Sequence, residues 1–200
     1  MFDTLSPPAP LGELAASPEL SRRGFLKGAL GLAGLAALPF SANAEGNFWE
    51  KPRELWLFRS QTRENVKLTY WKDGAYDTQG YVQACELLRD VNDNKAVQMD
   101  PVLLDIMRGM QAYYQAYGYN YPFVINSGFR TERTNRKLLS EGAARNSMHL
   151  YGKAVDLYMP NIPVKHLGQM GLYFHQGGVG FYEGRGFVHI DTGNLRVWRG

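Results

Sequence analysis

The sequence predicts an α+β fold in which a small antiparallel sheet is flanked by helices. Short runs of branched and aromatic residues, typical of strands, occur near both ends of residues 45–200. Between them, apolar residues recur at helical spacing over residues 102–117. No repeat or low-complexity linker interrupts residues 48–200, which predicts a single domain for residues 45–200.

Residues 1–44 are predicted to be an export signal and not part of this fold. Residues 21–27 (SRRGFLK) carry paired arginines and precede a Gly/Ala-rich apolar run. That run is shorter than the roughly 20 apolar residues that a membrane span needs. Residues 42–44 (ANA) form a small-x-small cleavage site. The segment resembles a twin-arginine signal, so the mature chain is expected to begin at Glu45 and to work in the periplasm without a stable membrane span.

Composition and charge narrow the class of protein. A hydrophobic content of 44% and a charged content of 20% are typical of a globular chain and exclude a disordered one. The formal charge of +3 is too small to indicate a nucleic-acid partner, and none is predicted. The single cysteine, Cys85, excludes an internal disulfide and is expected to be a buried thiol. The chain is expected to be a monomer.

The first half of the predicted domain begins with two strands, at residues 55–59 and 65–70, followed by a turn at Asp73-Gly74. A short helix is predicted for residues 80–89. A longer helix begins after Asp100, a typical N-cap residue, with Pro101 at its first position. Its apolar stripe ends at Tyr117, and Gly118 is expected to stop it.

The second half alternates short strands with helices. Strands are predicted at residues 123–126, 154–158, 179–182, 187–192 and 195–198, which are short runs rich in branched and aromatic residues. Helices are predicted at residues 132–139, ending at Gly142, and from Pro163 to Phe174.

Two histidines and an aspartate in this half point to a metal site. Asp156 and His189 lie on predicted strands, and side chains two apart on a strand share a face. If these strands pair, Asp156 and His189 face the same space, and Gly152 allows a sharp turn that brings His149 over it. Two imidazoles and one carboxylate with an open fourth position are typical of catalytic zinc. Histidines satisfied within the core remain the alternative.

The motif formed by Ser147, His149, Gly152, Ala154 and Asp156 resembles the signature of the zinc D-alanyl-D-alanine peptidase superfamily, whose fold hedgehog domains share. Residues 187–193 (FVHIDTG) and 127–135 (SGFRTERTN) resemble its exported murein endopeptidase K-like branch. The resemblance covers nearly all of residues 50–200. It implies His149, Asp156 and His189 as ligands of Zn²⁺, and hydrolysis of peptide cross-links in peptidoglycan during cell-wall remodelling.

The general base does not follow from this resemblance. The carboxypeptidase and dipeptidase branches place an acidic residue three positions before the last histidine, where this chain has Gly186. Asp191 shares the predicted face of His189, so it is expected either to reach the metal water or to position a ligand. Glu183 matches the spacing of a glutamate in hedgehog domains and is the second candidate.

Two further residues are expected at the substrate. Arg130 suits a substrate carboxylate or a developing oxyanion, because a guanidinium binds carboxylates through two hydrogen bonds. A structural ion pair is the alternative for Arg130. Ser147 is expected either to orient the substrate backbone or to cap a turn.

Two other functions remain open at this point. A zinc D,D-carboxypeptidase that trims terminal D-alanine would use the same ligands, although Gly186 weighs against it. A zinc-containing module that binds peptidoglycan without cutting it would follow if no competent base exists.

Overall fold

The computed structural model describes residues 5–11 and 47–200. The paired arginines and the cleavage site of the predicted export signal lie outside these residues. Residues 5–11 of that segment are described, and they contact the domain: Pro10 forms a β-bridge with Val97, and the Ala9 carbonyl accepts from the Gln98 amide at 2.8 Å. Within the two described ranges, no helix is both long enough and apolar enough to cross a membrane.

Within the described residues, eight strands and four α-helices follow one another. The strands are β1 (Arg53–Arg59), β2 (Glu64–Lys72), β3 (Ala75–Tyr76), β4 (Phe123–Ser127), β5 (Ala154–Tyr158), β6 (Gly178–Tyr182), β7 (Phe187–Asp191) and β8 (Arg196–Arg199). The α-helices are α1 (Thr78–Leu87), α2 (Pro101–Ala116), α3 (Glu132–Lys137) and α4 (Val164–Tyr173). Single 3-10 turns at Leu138–Glu141, Met148–Tyr151 and Glu183–Arg185 complete the described elements.

The strands form one eight-stranded sheet with the order β3-β2-β1-β4-β5-β7-β6-β8. The β1–β4 and β6–β8 pairs are parallel, and the other neighbours are antiparallel. The mixture of helices and a sheet is therefore confirmed, but the small antiparallel sheet is not, because the sheet has eight strands and includes two parallel pairs. The difference arises because both parallel pairs join strands that do not follow each other directly in the chain, which local patterning does not reveal.

Helix α2 begins as predicted and is fastened to the sheet by a buried amide. The Asp100 carboxylate accepts a hydrogen bond from the Val102 amide at 2.9 Å, and Pro101 occupies the first turn. Gln111, fully buried on α2, accepts from the Trp56 amide and donates to the Trp56 carbonyl, both at 2.9 Å. The helix thereby satisfies backbone groups of β1 and extends the hydrogen bonding of the sheet.

The two faces of strands β5 and β7 have different environments. Val155, Leu157, Val188 and Ile190 belong to the hydrophobic core, where helix α4 packs against β6 and β7. The alternate residues of both strands, among them His189, point to the opposite face. This face carries the polar residues of the site, so the core supports the strands from behind.

Candidate metal centre

The side chains of His149, Asp156 and His189 converge on one point on the open face of the sheet. His149 Nε2 lies 3.2 Å from His189 Nδ1 and 3.2 Å from Asp156 Oδ1, and His189 Nδ1 lies 2.8 Å from Asp156 Oδ1. All three residues are buried. We refer to these residues as the donor triad.

Strand register sets the relative position of two members of the triad. Asp156 on β5 stands directly opposite His189 on the antiparallel strand β7. Directly opposed side chains on antiparallel strands have Cβ atoms about 4.5–5.5 Å apart, so both project to the same face within reach of one ion. The two strands therefore pair, which was the condition for Asp156 and His189 to face the same space.

His149 reaches the triad from a single 3-10 turn, Met148–Tyr151, just before β5. Gly152 ends the turn in the left-handed conformation, with φ at +66°. Its carbonyl accepts from the Asp100 amide at 2.9 Å, which anchors the turn to the start of α2. The chain therefore reverses at Gly152 and places His149 over the ends of β5 and β7.

Hydrogen bonds on the far side of each imidazole fix which nitrogen faces the triad. His149 Nδ1 donates to the Gly128 carbonyl at 2.6 Å, because a carbonyl oxygen can only accept. His189 Nε2 lies 2.8 Å from Asp191 Oδ2 and donates to it. The lone pairs of His149 Nε2 and His189 Nδ1 are thereby directed into the triad, as metal ligation requires.

Asp191 is held behind His189 by hydrogen bonds to both of its carboxylate oxygens. Oδ1 accepts from the Gly178 amide at 3.0 Å and from the Gly193 amide at 2.8 Å. Oδ2 accepts from Arg196 Nη2 at 2.6 Å as well as from His189. With 1% of its surface exposed, Asp191 faces the outer nitrogen of His189 and not the space within the triad.

The second oxygen of Asp156 binds Arg130. Asp156 Oδ2 accepts from Arg130 Nη2, whereas Oδ1 faces the two histidines. Arg130 Nε also donates to Ser127 Oγ at 2.8 Å. Arg130 therefore forms an ion pair, as the structural alternative predicted, but its partner is the predicted metal ligand itself.

The pKa directions fit an anionic ligand between imidazoles. Burial would raise the pKa of Asp156, but the charges and hydrogen bonds of His149 and His189 outweigh it and hold that pKa well below its ordinary value. Burial lowers the pKa of His149, which favours its neutral form. Burial opposes protonation of His189 too, yet its hydrogen bonds to the Asp156 and Asp191 carboxylates raise its pKa.

The donor triad fits one face of a tetrahedral zinc site. Zinc bonds of about 2.0–2.1 Å to nitrogen and oxygen place neighbouring tetrahedral ligands about 3.3 Å apart. The distances within the triad, 2.8, 3.2 and 3.2 Å, are close to this value. Three protein donors with an open side are typical of catalytic zinc, whereas a structural site is closed by four.

A cleft lies above the triad and leaves that side accessible. One rim is formed by Arg130, Leu138 and most residues from Glu141 to Met148, and the other by aromatic and basic side chains. The rings of Tyr182 and Phe187 are stacked, with centroids 4.6 Å apart and planes 14° from parallel. The Trp198 ring lies 5.2 Å from the His189 ring, and its Nε1 donates to the Tyr182 hydroxyl at 3.0 Å.

Of the two remaining predicted site residues, Ser147 lies in the cleft and Glu183 lies outside it. Ser147 lines the cleft and precedes the turn of His149, without a side-chain capping hydrogen bond. Glu183 lies outside the cleft lining, half exposed, with its Oε1 2.6 Å from Arg199 Nη1.

Sequence reasoning missed the aromatic and basic rim of the cleft. Trp198 and Arg196 share one face of β8, a spacing that the sequence displays. Only the parallel pairing of β8 with β6 brings that face beside His189, and nothing local in the sequence signals this pairing.

Comparison with known proteins gives a consistent result. Residues 48–198 match the family model described as peptidoglycan L,D-endopeptidase MepK. The peptidoglycan L,D-endopeptidase MepK of Escherichia coli K12 is 33% identical over 167 residues, covering 82% of this chain and 90% of that protein. The protein of that name from Shigella flexneri has the same identity and coverage. A probable peptidoglycan L,D-endopeptidase MepK of Haemophilus influenzae is 34% identical over 116 residues, covering 57% of this chain and 61% of that protein.

The amino-terminal segment matches independently. Residues 19–39 correspond to a twin-arginine translocation pathway signal sequence. The resemblances to a murein endopeptidase branch and to a twin-arginine signal are both confirmed. The signal indicates export by this route to the periplasm.

Proposed function

Because the chain belongs to the peptidoglycan L,D-endopeptidase MepK family, we propose that it is a zinc-dependent endopeptidase that hydrolyses peptide cross-links of peptidoglycan in cell-wall remodelling. Family membership makes it a metal-dependent peptidase that acts on peptidoglycan. The identity of the metal as zinc, and the residues that bind it, belong to the proposal.

The convergence of His149, Asp156 and His189 at the base of an open cleft carries this proposal. Two imidazoles and one carboxylate are the donor set of many hydrolytic zinc sites. A bound zinc ion would supply Lewis acidity toward the scissile carbonyl and would lower the pKa of a bound water. The remaining chemistry depends on the residues around the triad.

Asp191 acts through His189 in this proposal and does not itself receive the proton from the attacking water. Both of its oxygens are already engaged, and it contacts the imidazole nitrogen that points away from the cleft. A carboxylate at this position fixes the ring and its tautomer, and raises the basicity of the ligating nitrogen. Of the two roles expected for Asp191, the geometry favours positioning.

Arg130 has two tasks in this mechanism. Arg130 binds Oδ2 of Asp156, and Oδ1 of Asp156 therefore faces the two histidines. In this orientation the Asp156 carboxylate would bind the metal through Oδ1 alone. Because Arg130 also lines the cleft, its positive charge lies where negative charge develops on the substrate carbonyl during hydrolysis. Ser147, on the same rim, is suited to hydrogen-bond the substrate backbone.

Glu183 is placed less favourably for proton transfer. Its carboxylate forms an ion pair with Arg199 outside the cleft lining, so it would have to leave this partner to reach a substrate. We therefore expect Glu183→Gln to retain most of the hydrolytic activity. Loss of turnover with unchanged zinc binding in this variant would assign Glu183 as the base after all.

The deciding experiment uses the zinc-loaded protein and purified cross-linked muropeptide dimers, with products identified by mass. Monomers are expected from the wild-type protein and not from His149→Ala, whose zinc content is measured in parallel. Release of a single alanine would instead indicate a D,D-carboxypeptidase. Intact dimers in the presence of stoichiometric zinc would indicate a non-catalytic peptidoglycan-binding module.

The proposal includes the form in which the protein works. We propose cleavage of the signal after Ala44 and a single peptidase domain from residue 45 onward, acting as a monomer. Intact mass of the protein recovered from the periplasm would test the cleavage site, and its sedimentation behaviour would test the monomer.

A further inference from the structure

Three arginines line the cleft, and two of them are engaged in ion pairs with the metal centre. Arg130 binds Asp156, and Arg196 binds Asp191. Arg185, the third, forms no hydrogen bond or ion pair with any residue in the described ranges 5–11 and 47–200. Its full set of five N–H donors is therefore available for a ligand.

Arg185 is nevertheless held in place, by aromatic rings. Its guanidinium lies over the ring of Phe187, 5.2 Å from the centroid, and over that of Tyr182, at 5.6 Å. These two rings are stacked upon each other, so they form one rigid platform. A guanidinium stacked on such a platform loses less side-chain entropy when it binds a ligand, because its position is already restricted.

The platform is continuous with the metal centre. Tyr182 accepts a hydrogen bond from Trp198, and the Trp198 ring packs against His189. The guanidinium of Arg185 therefore stands at the outer end of a wall of rings whose inner end is a predicted zinc ligand. Because Arg185 lines the same cleft as the triad, an extended peptide bound at the triad and lying along this wall would bring one of its groups to Arg185.

We propose that Arg185 binds a carboxylate of the substrate peptide that lies near the scissile bond, and that it thereby selects acidic cross-link peptides over amidated ones. This inference rests on the proposed endopeptidase function. A planar guanidinium with free donors matches a carboxylate through two parallel hydrogen bonds. Arg185 is a substrate-binding residue in this account and takes no part in bond cleavage.

The test compares two cross-linked peptides that differ only in whether the carboxylate nearest the scissile bond is free or amidated. For wild type, Arg185→Ala and Arg185→Lys, kcat/KM is measured on both peptides. Arg199→Ala is the matched control, since Arg199 is an exposed arginine near the same rim that does not line the cleft. Zinc content is measured in every variant.

Arg185→Ala is expected to lower kcat/KM about five- to tenfold on the carboxylate peptide and to leave the amidated peptide unchanged. This effect is smaller than the usual loss for a hydrogen bond to a charged group, because Arg185 is exposed to solvent. Arg185→Lys should recover only part of the loss, since an ammonium lacks the planar fork. Arg199→Ala should behave as wild type on both peptides.

Equal loss on both peptides, or no loss on either, would overturn the assignment of Arg185. If the wild-type protein cleaves neither peptide, the endopeptidase proposal itself fails. In that case the role of Arg185 is still tested by calorimetry, which measures the affinities of wild type and Arg185→Ala for the two peptides. A preference for the carboxylate peptide that disappears in Arg185→Ala would support the binding role, and its absence would refute it.

Discussion

Asp191→Asn is the substitution that most directly tests how the metal centre is organised. The change preserves the size of the side chain and an acceptor for the Gly178 and Gly193 amides, but it removes the negative charge and replaces one oxygen by NH₂. If that NH₂ faces His189, Nε2 must accept and the proton moves to Nδ1, the nitrogen within the donor triad. A protonated Nδ1 cannot bind a metal.

The size of the effect follows from the contacts that are lost. Loss of a carboxylate that orients a metal-bound histidine typically costs 10- to 100-fold in metal affinity, which corresponds to about 1.4–2.7 kcal/mol. The ion pair with Arg196 adds little, because the Arg196 side chain is 43% exposed. The zinc-free protein should lose about 1–3 kcal/mol of unfolding free energy, since a hydrogen bond to a buried charge is replaced by a weaker one.

Zinc affinity is measured by competition with a chromophoric chelator, and stability by denaturant unfolding of the zinc-free protein. Glu183→Gln is the matched control, because it makes the same change at a carboxylate outside the cleft lining and should leave zinc affinity unaltered. Wild-type zinc affinity in Asp191→Asn would refute the positioning role. If turnover were then lost as well, Asp191 would have to act directly in proton transfer.

Three other outcomes are expected. The pKa of Asp90 lies below its ordinary value of 3.8, because hydrogen bonds from Thr131 and neighbouring groups outweigh burial. Asp90→Asn should therefore lower the free energy of unfolding of the zinc-free protein by about 1–3 kcal/mol near neutral pH. The difference in stability from wild type should shrink as the pH falls below 3.8 through the folded-state pKa, and a difference that is independent of pH would contradict this. A Cβ on Gly180 would lie 2.5 Å from the Trp198 ring, so Gly180→Ala should move that ring away from His189. The movement is measured as a change in tryptophan fluorescence. An unchanged spectrum together with unchanged turnover would contradict this packing. Removal of zinc by a chelator should lower Tm by an amount that grows with the zinc concentration of the reference sample, and an effect independent of zinc would exclude binding to the folded state.

Strands β5 and β7, which carry Asp156 and His189, could be predicted from the sequence because their residue patterns are local. Branched aliphatic residues occupy every second position of residues 154–158 and 187–191, and turning them to the core places Asp156 and His189 on the opposite face. The predicted N-cap and first turn of α2 are confirmed for the same reason, since capping depends on residues that are adjacent in the chain.

Features that depend on distant pairing could not be predicted in this way. The size of the sheet depends on the parallel pairs β1–β4 and β6–β8, whose members are not neighbours in sequence. The engagement of Asp191 likewise depends on amides of Gly178 and Gly193, which meet its carboxylate only after β6 and β7 have paired. Alternation placed Asp191 on the face of His189, but it left open which imidazole nitrogen Asp191 contacts.

The donor triad joins two parts of the chain that differ in how firmly they are held. Asp156 and His189 are fixed by interstrand hydrogen bonds in the middle of the sheet, so their separation changes only if the sheet unfolds. His149 stands on one short turn, and such turns open at lower free energy than central strands. We therefore expect zinc to leave through fluctuations of this turn while the sheet stays intact. Amide hydrogen exchange should then show the metal protecting residues 147–152 far more than β5 and β7, and equal protection of both would refute this expectation.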